Sequence, residues 1–195
     1  MRSRTAEDLG GRCPRCYLLP CLCPEVPTLQ PRLEVVVIRH FLEALKGTNS
    51  ARWAMLALPN SQVHEYGLLD APLKVNELVT PDTWVLFPMA EPTPAPAVPP
   101  RRVLMLDGSW TQARRMFQRI PSLRGLPKLS LPPPPMRPRL RSEHLESGMS
   151  TMEAIAAAYD FAGEPQVSTA LIELYLKAVD RAQAIRGRRT VPGQS

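Results

Sequence analysis

The chain has 195 residues, 44% of them hydrophobic and 22% charged, a balance that fits one globular domain with a small appendage and excludes a wholly disordered or coiled-coil chain. Lys and Arg number 24 against 18 Asp and Glu, a net charge of +6 that suits an anionic partner such as nucleic acid. No apolar run reaches the ~18 to 20 residues that cross a bilayer, and Arg2, Arg4, Glu7 and Asp8 do not resemble a signal peptide, so a cytoplasmic protein with no membrane partner is expected.

All four cysteines fall between Cys13 and Cys23, spaced Cys-x2-Cys-x4-Cys-x-Cys. A disulfide-stapled secreted scaffold would spread them along the chain, whereas Cys13, Cys16, Cys21 and Cys23 can enclose one tetrahedral Zn2+ without another ligand. Redox-active thiols are the alternative. Four thiolates leave no open position, so such a zinc would be structural. Arg12 and Arg15 stand beside it, where they could meet a phosphate. Residues 1–30 therefore read as an N-terminal zinc-binding module, 31–186 as the main domain and 187–195 as a basic flexible tail.

Glu34 to Arg39 contains Val35-Val36-Val37-Ile38, a β-branched run that predicts a strand buried on both faces. From Phe41 the pattern turns helical, and Asn49 or Ser50 can cap a helix through Arg52, Met55, Leu56 and Leu58 that stops before Pro59. Thr83–Phe87 and Val103–Leu106 are two further buried-strand patterns. Between them Pro92 to Pro100 predicts an extended surface crossover, part of a proline content of 23 residues. Thr111–Arg119 reads as a helix ended by Pro121, and Pro132–Pro135 as a stiff spacer. Ser150 and Glu153 form a Ser-x-x-Glu capping pattern ahead of a helix over Thr151–Phe161. From Val167 to Ile185 apolar residues recur at helical spacing. Strands alternating with helices predict an α/β domain with a mainly parallel sheet, whose ligand site lies beyond the carboxyl ends of its strands, at Pro88–Glu91 and Asp107–Trp110.

At the second of these loops Gly108 permits a tight turn, the following helix start offers N–H groups to an anion, Trp110 can stack on an aromatic ring, and Asp107 can take a proton or a cation. A capped helix with Trp110 in the core is the plainer alternative. Asp107-Gly108-Ser109-Trp110 followed by Thr111-Gln112-Ala113-Arg114-Arg115-Met116 resembles the Asp-x-x-Trp signature of the DTW-domain proteins. The cysteine cluster, Asn49-Ser50-Ala51-Arg52, Leu86-Phe87-Pro88 and Ser150-Thr151-Met152-Glu153-Ala154 extend the likeness, in family order, over about residues 13 to 180.

The resemblance implies a tRNA-uridine aminocarboxypropyltransferase, which moves the 3-amino-3-carboxypropyl group of S-adenosylmethionine to a uridine N3, in the variable loop of bacterial tRNA, and releases methylthioadenosine. It also implies a knotted, SPOUT-like fold in which Leu86, Phe87 and Pro88, Asp107, Gly108, Ser109 and Trp110, and Ser150, Thr151, Met152, Glu153 and Ala154 line the donor site. Asp107 is the candidate catalytic residue, as general base or in orienting the nucleobase, with binding of the donor's amine as its other role. Glu153 suits a capping carboxylate better than a substrate ligand. Ser109 is a hydrogen-bonding group rather than a nucleophile. His40 can face a ligand but fits a structural histidine better, and His64 and His144 lack partners at metal-ligand spacing. Arg39, Arg52, Arg114, Arg115, Arg137, Arg139 and Arg141 are candidate RNA contacts, the last three alternating along an extended arm. A methyltransferase on the same fold, or a zinc-containing RNA-binding module without catalysis, would account for many of the same residues. Monomer and dimer are equally compatible with the terminal helix.

Overall fold

A computed structural model describes residues 9–44, 46, 48–89, 91–94, 96–132 and 149–189, with side chains to residue 185. Five strands form one sheet: β1 (Glu34–His40), β2 (Gln62–Tyr66), β3 (Thr83–Leu86), β4 (Arg102–Asp107) and β5 (Lys128–Leu129). Their order is β2-β1-β4-β3-β5, and every neighbouring pair is parallel. The apolar runs foreseen as strands occupy the middle. Val35, Val37, Val103 and Met105 face one helical layer, made of α1 (Ser50–Ala57), α4 (Thr151–Phe161) and α5 (Pro165–Arg189). Val36, Ile38, Val85 and Leu104 face the other, made of α2 (Trp110–Arg119) and α3 (Pro121–Arg124). Burial on both faces explains why these strands are continuous apolar runs rather than alternating ones.

Several expectations change in detail. The helix expected from Phe41 is a single 3-10 turn, Phe41–Glu43, and α-helix begins only at Ser50, behind the Asn49 cap. The proline-rich connection is anchored: Thr93 Oγ1 donates to the Lys128 carbonyl at 3.0 Å and accepts from the Ser130 N–H at 2.8 Å, so this strap covers the outer edge of β5. The last helix runs from Pro165 to Arg189, four residues past the expected Ile185 and through Gly187, with proline at its first position, where a missing N–H costs nothing. The spacer beyond Pro132, His144 and the Arg137, Arg139 and Arg141 arm lie outside the described residues.

Cys16, Leu18 and Leu22 belong to the same apolar core as α1, α4 and α5, so the cysteine segment packs as part of the main body. The Trp53 indole N–H on α1 donates to the Cys16 carbonyl at 2.8 Å, and both residues are fully buried. At the opposite face of the segment, Glu25 pairs with Arg181 and, at 3.2 Å, with Lys177 of α5. Among the described residues no helix is long and apolar enough to cross a membrane.

Candidate active site

The chain leaves β1 for β2 on one side and β3 and β5 lie on the other, so β1 and β4 flank the switch point of the sheet. Ligand sites of open parallel sheets form in that crevice, at the carboxyl ends of the strands. Arg39 of β1 stands in register with Asp107 of β4 on one side and Glu65 of β2 on the other.

Asp107 ends β4 and is 4% exposed. Its two carboxylate oxygens accept from different elements. Oδ2 takes the Asn49 side-chain N–H at 2.7 Å, and Oδ1 takes the Thr151 hydroxyl at 2.7 Å. Asn49 caps α1 through Oδ1, which accepts the Arg52 N–H at 3.0 Å. Thr151 opens α4, and Ser50 adds a second cross-link by accepting the Met152 N–H at 3.2 Å. Thus two helix starts meet at one buried carboxylate. Burial pushes the Asp107 carboxyl above the ordinary range, the bonds from Thr151 and Asn49 draw it back, and the neighbouring Glu43 and Arg39 act in opposite senses.

The other predicted loops are held by contacts of their own. Ser109 caps α2 in a full capping box, its N–H bonded to Gln112 Oε1 at 2.7 Å and its hydroxyl accepting the Gln112 N–H. The box consumes the Ser109 and Gln112 amides and leaves those of Trp110 and Thr111 outside it. Trp110 is 44% exposed at the rim, so the core-packed alternative does not hold. A Cβ on Gly108 would lie 3.0 Å from Gln112 Cβ, which accounts for glycine there. Phe87 stacks on Phe117 of α2 with centroids 3.9 Å apart, fixing the end of β3 against the helix that follows Asp107. Pro88 and Met89 beyond it are exposed, and the Met89 N–H is held by Ser130 Oγ at 2.9 Å.

The α4 start is built as the capping pattern foretold. Ser150 Oγ accepts the Glu153 N–H at 3.3 Å, and Glu153 Oε2 accepts the Ser150 N–H at 2.9 Å. Glu153, Met152 and Ala154 are buried, and Glu153 Oε1 has no partner among the described residues. Only Ser150 and Thr151 of this loop reach partial exposure.

The candidate RNA contacts divide into two kinds. Arg39 is engaged with Glu65 at 3.1 Å, and Arg52 donates to the Ala44 carbonyl at 2.6 Å while its guanidinium lies 3.5 Å over the Tyr17 ring. Both are spent on internal structure. Arg114 and Arg115 are exposed on α2 with no ion pair among the described residues, and Arg119 of α2 and Arg124 of α3 are exposed as well. His40, half-buried, is engaged locally: Nδ1 accepts the Leu42 N–H at 3.4 Å and lies 3.3 Å from Gln112 Nε2.

Sequence reasoning did not place Asn49 and Ser50 in the site, reading them as helix caps and as part of the family likeness. It also passed over Glu43, 6% exposed, paired with Lys46 and electrostatically coupled to Asp107. A polar Asn-Ser pair opening a mostly apolar helix was the available signal for the first two. For Glu43 there was none.

The four cysteines form a second centre, their sulfurs all within 4.8 Å of one another. Cys13 and Cys23 Sγ are 3.8 Å apart, and Cys16 and Cys21 Sγ 3.9 Å. A tetrahedron with metal–sulfur bonds of about 2.3 Å has edges of about 3.8 Å, so the set fits a single tetrahedral ion. The Arg15 and Leu22 N–H groups point at Cys13 and Cys16 Sγ, both at 3.4 Å. Desolvation raises the Cys13 thiol, yet amide N–H groups of Cys16 and Arg15 outweigh it and bring the group down to about 6. Desolvation and its neighbours push Cys23 up to about 12. One thiolate thus forms readily and its charge holds back another, a conflict that a bound cation removes.

The DTW domain model matches residues 10–183, nearly the whole chain, and no solved structure matches. This chain belongs to the DTW-domain family, which implies a tRNA-modifying role and an RNA substrate.

Proposed function

From that membership we propose that the protein transfers the 3-amino-3-carboxypropyl group of S-adenosylmethionine to N3 of a tRNA uridine, in the variable loop, with methylthioadenosine as by-product. The observation that supports this reading is the meeting of the β4 end with the starts of α1 and α4 at one buried carboxylate, Asp107 bonded to Thr151 and to Asn49. The knotted arrangement of related folds belongs to the same proposal, as does a cytoplasmic setting.

The donor supplies a sulfonium whose γ-carbon accepts the N3 electron pair as the carbon–sulfur bond breaks, and the N3 proton passes to a base or to water. The chain's part is placement. Loops at Leu86–Pro88, Asp107–Trp110 and Ser150–Ala154 enclose the donor so that its amino-acid chain, and not its methyl, meets the nucleobase. Trp110 offers an exposed ring for stacking, and the free amides of the α2 start suit a carboxylate. Arg114 and Arg115, with Arg119 and Arg124, take the RNA backbone. Zinc is the ion we assign to the cysteine tetrahedron, in a structural role.

Incubating the full chain with unmodified tRNA and S-adenosylmethionine, then weighing the nucleosides, tests the reading. An aminocarboxypropyluridine is the expected product. A methylated nucleoside would replace it with methyl transfer, and tRNA binding without donor consumption would leave an RNA-binding module.

A further inference from the structure

We propose that Asp107 acts as a positioning residue, through a hydrogen-bonded lock with Asn49 and Thr151 that fixes the geometry of the donor loops. For its place in the reaction this rests on the function proposed above.

The argument is one of donors and acceptors. A general base must present an oxygen to the proton it removes, within hydrogen-bond reach. Asp107 is 4% exposed, and each of its oxygens already accepts a bond at 2.7 Å. The two donors belong to the starts of α1 and α4, which lie far apart in sequence and on no common strand. Asn49 spends its other end on the Arg52 N–H. Thr151 is followed by Met152, whose N–H is bonded to Ser50 Oγ. The β4 end, the α1 start and the α4 start are thereby one rigid unit, and Gly108 to Trp110 leave it directly. A misplacement of about 1 Å at such a unit can cost about a hundredfold in rate without any loss of a reacting group.

The lock predicts that its polarity can be reversed. In Asp107→Asn one amide must face another, or the Thr151 hydroxyl must give up its acceptor. In the double variant Asn49→Asp/Asp107→Asn every bond is restored, with donor and acceptor exchanged between positions 49 and 107 alone. The amide at position 107 would accept from Thr151 and donate to position 49, whose new carboxylate would accept from it and still cap α1.

The experiment compares kcat and KM for the donor and the pH profile of kcat in wild type, Asp107→Asn, Asn49→Asp and the double variant. Each single variant should lose about tenfold to a hundredfold in kcat/KM. The double variant should return to within about fivefold of wild type and keep the wild-type acid limb. A folded double variant as inactive as Asp107→Asn would overturn the proposal, as would full activity of Asp107→Asn alone. If the double variant fails to fold, Thr151 decides: Thr151→Val, which loses the hydroxyl, should be about tenfold less active than Thr151→Ser, which keeps it, and equal activity of the two would overturn the lock. Thermal melting of these four proteins as a cycle needs no substrate. Favourable coupling between positions 49 and 107 supports the lock even where the assigned reaction fails, and additive losses refute it even where that reaction proceeds.

Discussion

Gly108 is the narrowest point of the rim, because a Cβ there meets Gln112 Cβ at 3.0 Å and Gln112 Oε1 at 3.2 Å. Gly108→Ala should therefore push Gln112 out of the α2 capping box and cost about 1 to 2 kcal/mol, read as a lower melting temperature with weaker donor binding. Ser150→Ala removes the corresponding cap of α4 and should cost about 1 kcal/mol. Asp107 gives a pH signature. Since burial holds its folded carboxyl above the unfolded value, the folded state binds the proton more tightly, and stability from this group falls as pH rises from the ordinary Asp range through the raised value. Melting of wild type against Asp107→Asn should show the wild type's relative advantage larger near pH 4 than near pH 7. The opposite slope would mean that the Asn49 and Thr151 bonds prevail over burial.

Among the elements, α2 divides its work between two faces: Met116 is buried under the sheet, while Arg114, Arg115, Gln118 and Arg119 are exposed on a helix with no acidic residue. Replacing Arg114, Arg115 and Arg119 with Ala should weaken tRNA binding and reduce the salt dependence by up to about 3 in log–log slope. Donor affinity should stay close to wild type, and an unchanged slope would remove these arginines from the RNA contact. What the sequence made legible also sorts by element. β1, β3 and β4 announced themselves through Val35–Ile38, Trp84–Leu86 and Val103–Leu106, because burial on both faces leaves no room for polar residues. β2 did not, since Gln62-Val63-His64-Glu65-Tyr66 is an edge strand carrying charge, and β5 has two residues only. The caps at Asn49, Ser109 and Ser150 were local signals. The bonds that bring Asn49 and Thr151 together on Asp107 span 58 and 44 residues, and no pattern along the chain records such a meeting.

For the whole molecule the cysteine cluster is a staple between the N-terminal segment and the helical layer of α1, α4 and α5. Chelation should lower the melting temperature by more than about 5 °C, with recovery on adding zinc back. The Cys21→Ser variant should reproduce the loss without chelator. A melting curve indifferent to both would assign the thiols to another role.

The Trp53 indole grips the cysteine loop at the middle of α1, and Arg52, one position earlier, lies flat against Tyr17 of that loop. The same eight-residue rod is capped by Asn49, on the carboxylate that ends β4. It is about 12 Å long. A disturbance entering at the sulfurs should therefore travel to the Asp107 lip along this one stiff lever, and deuterium uptake along α1 would register the tremor at both ends together.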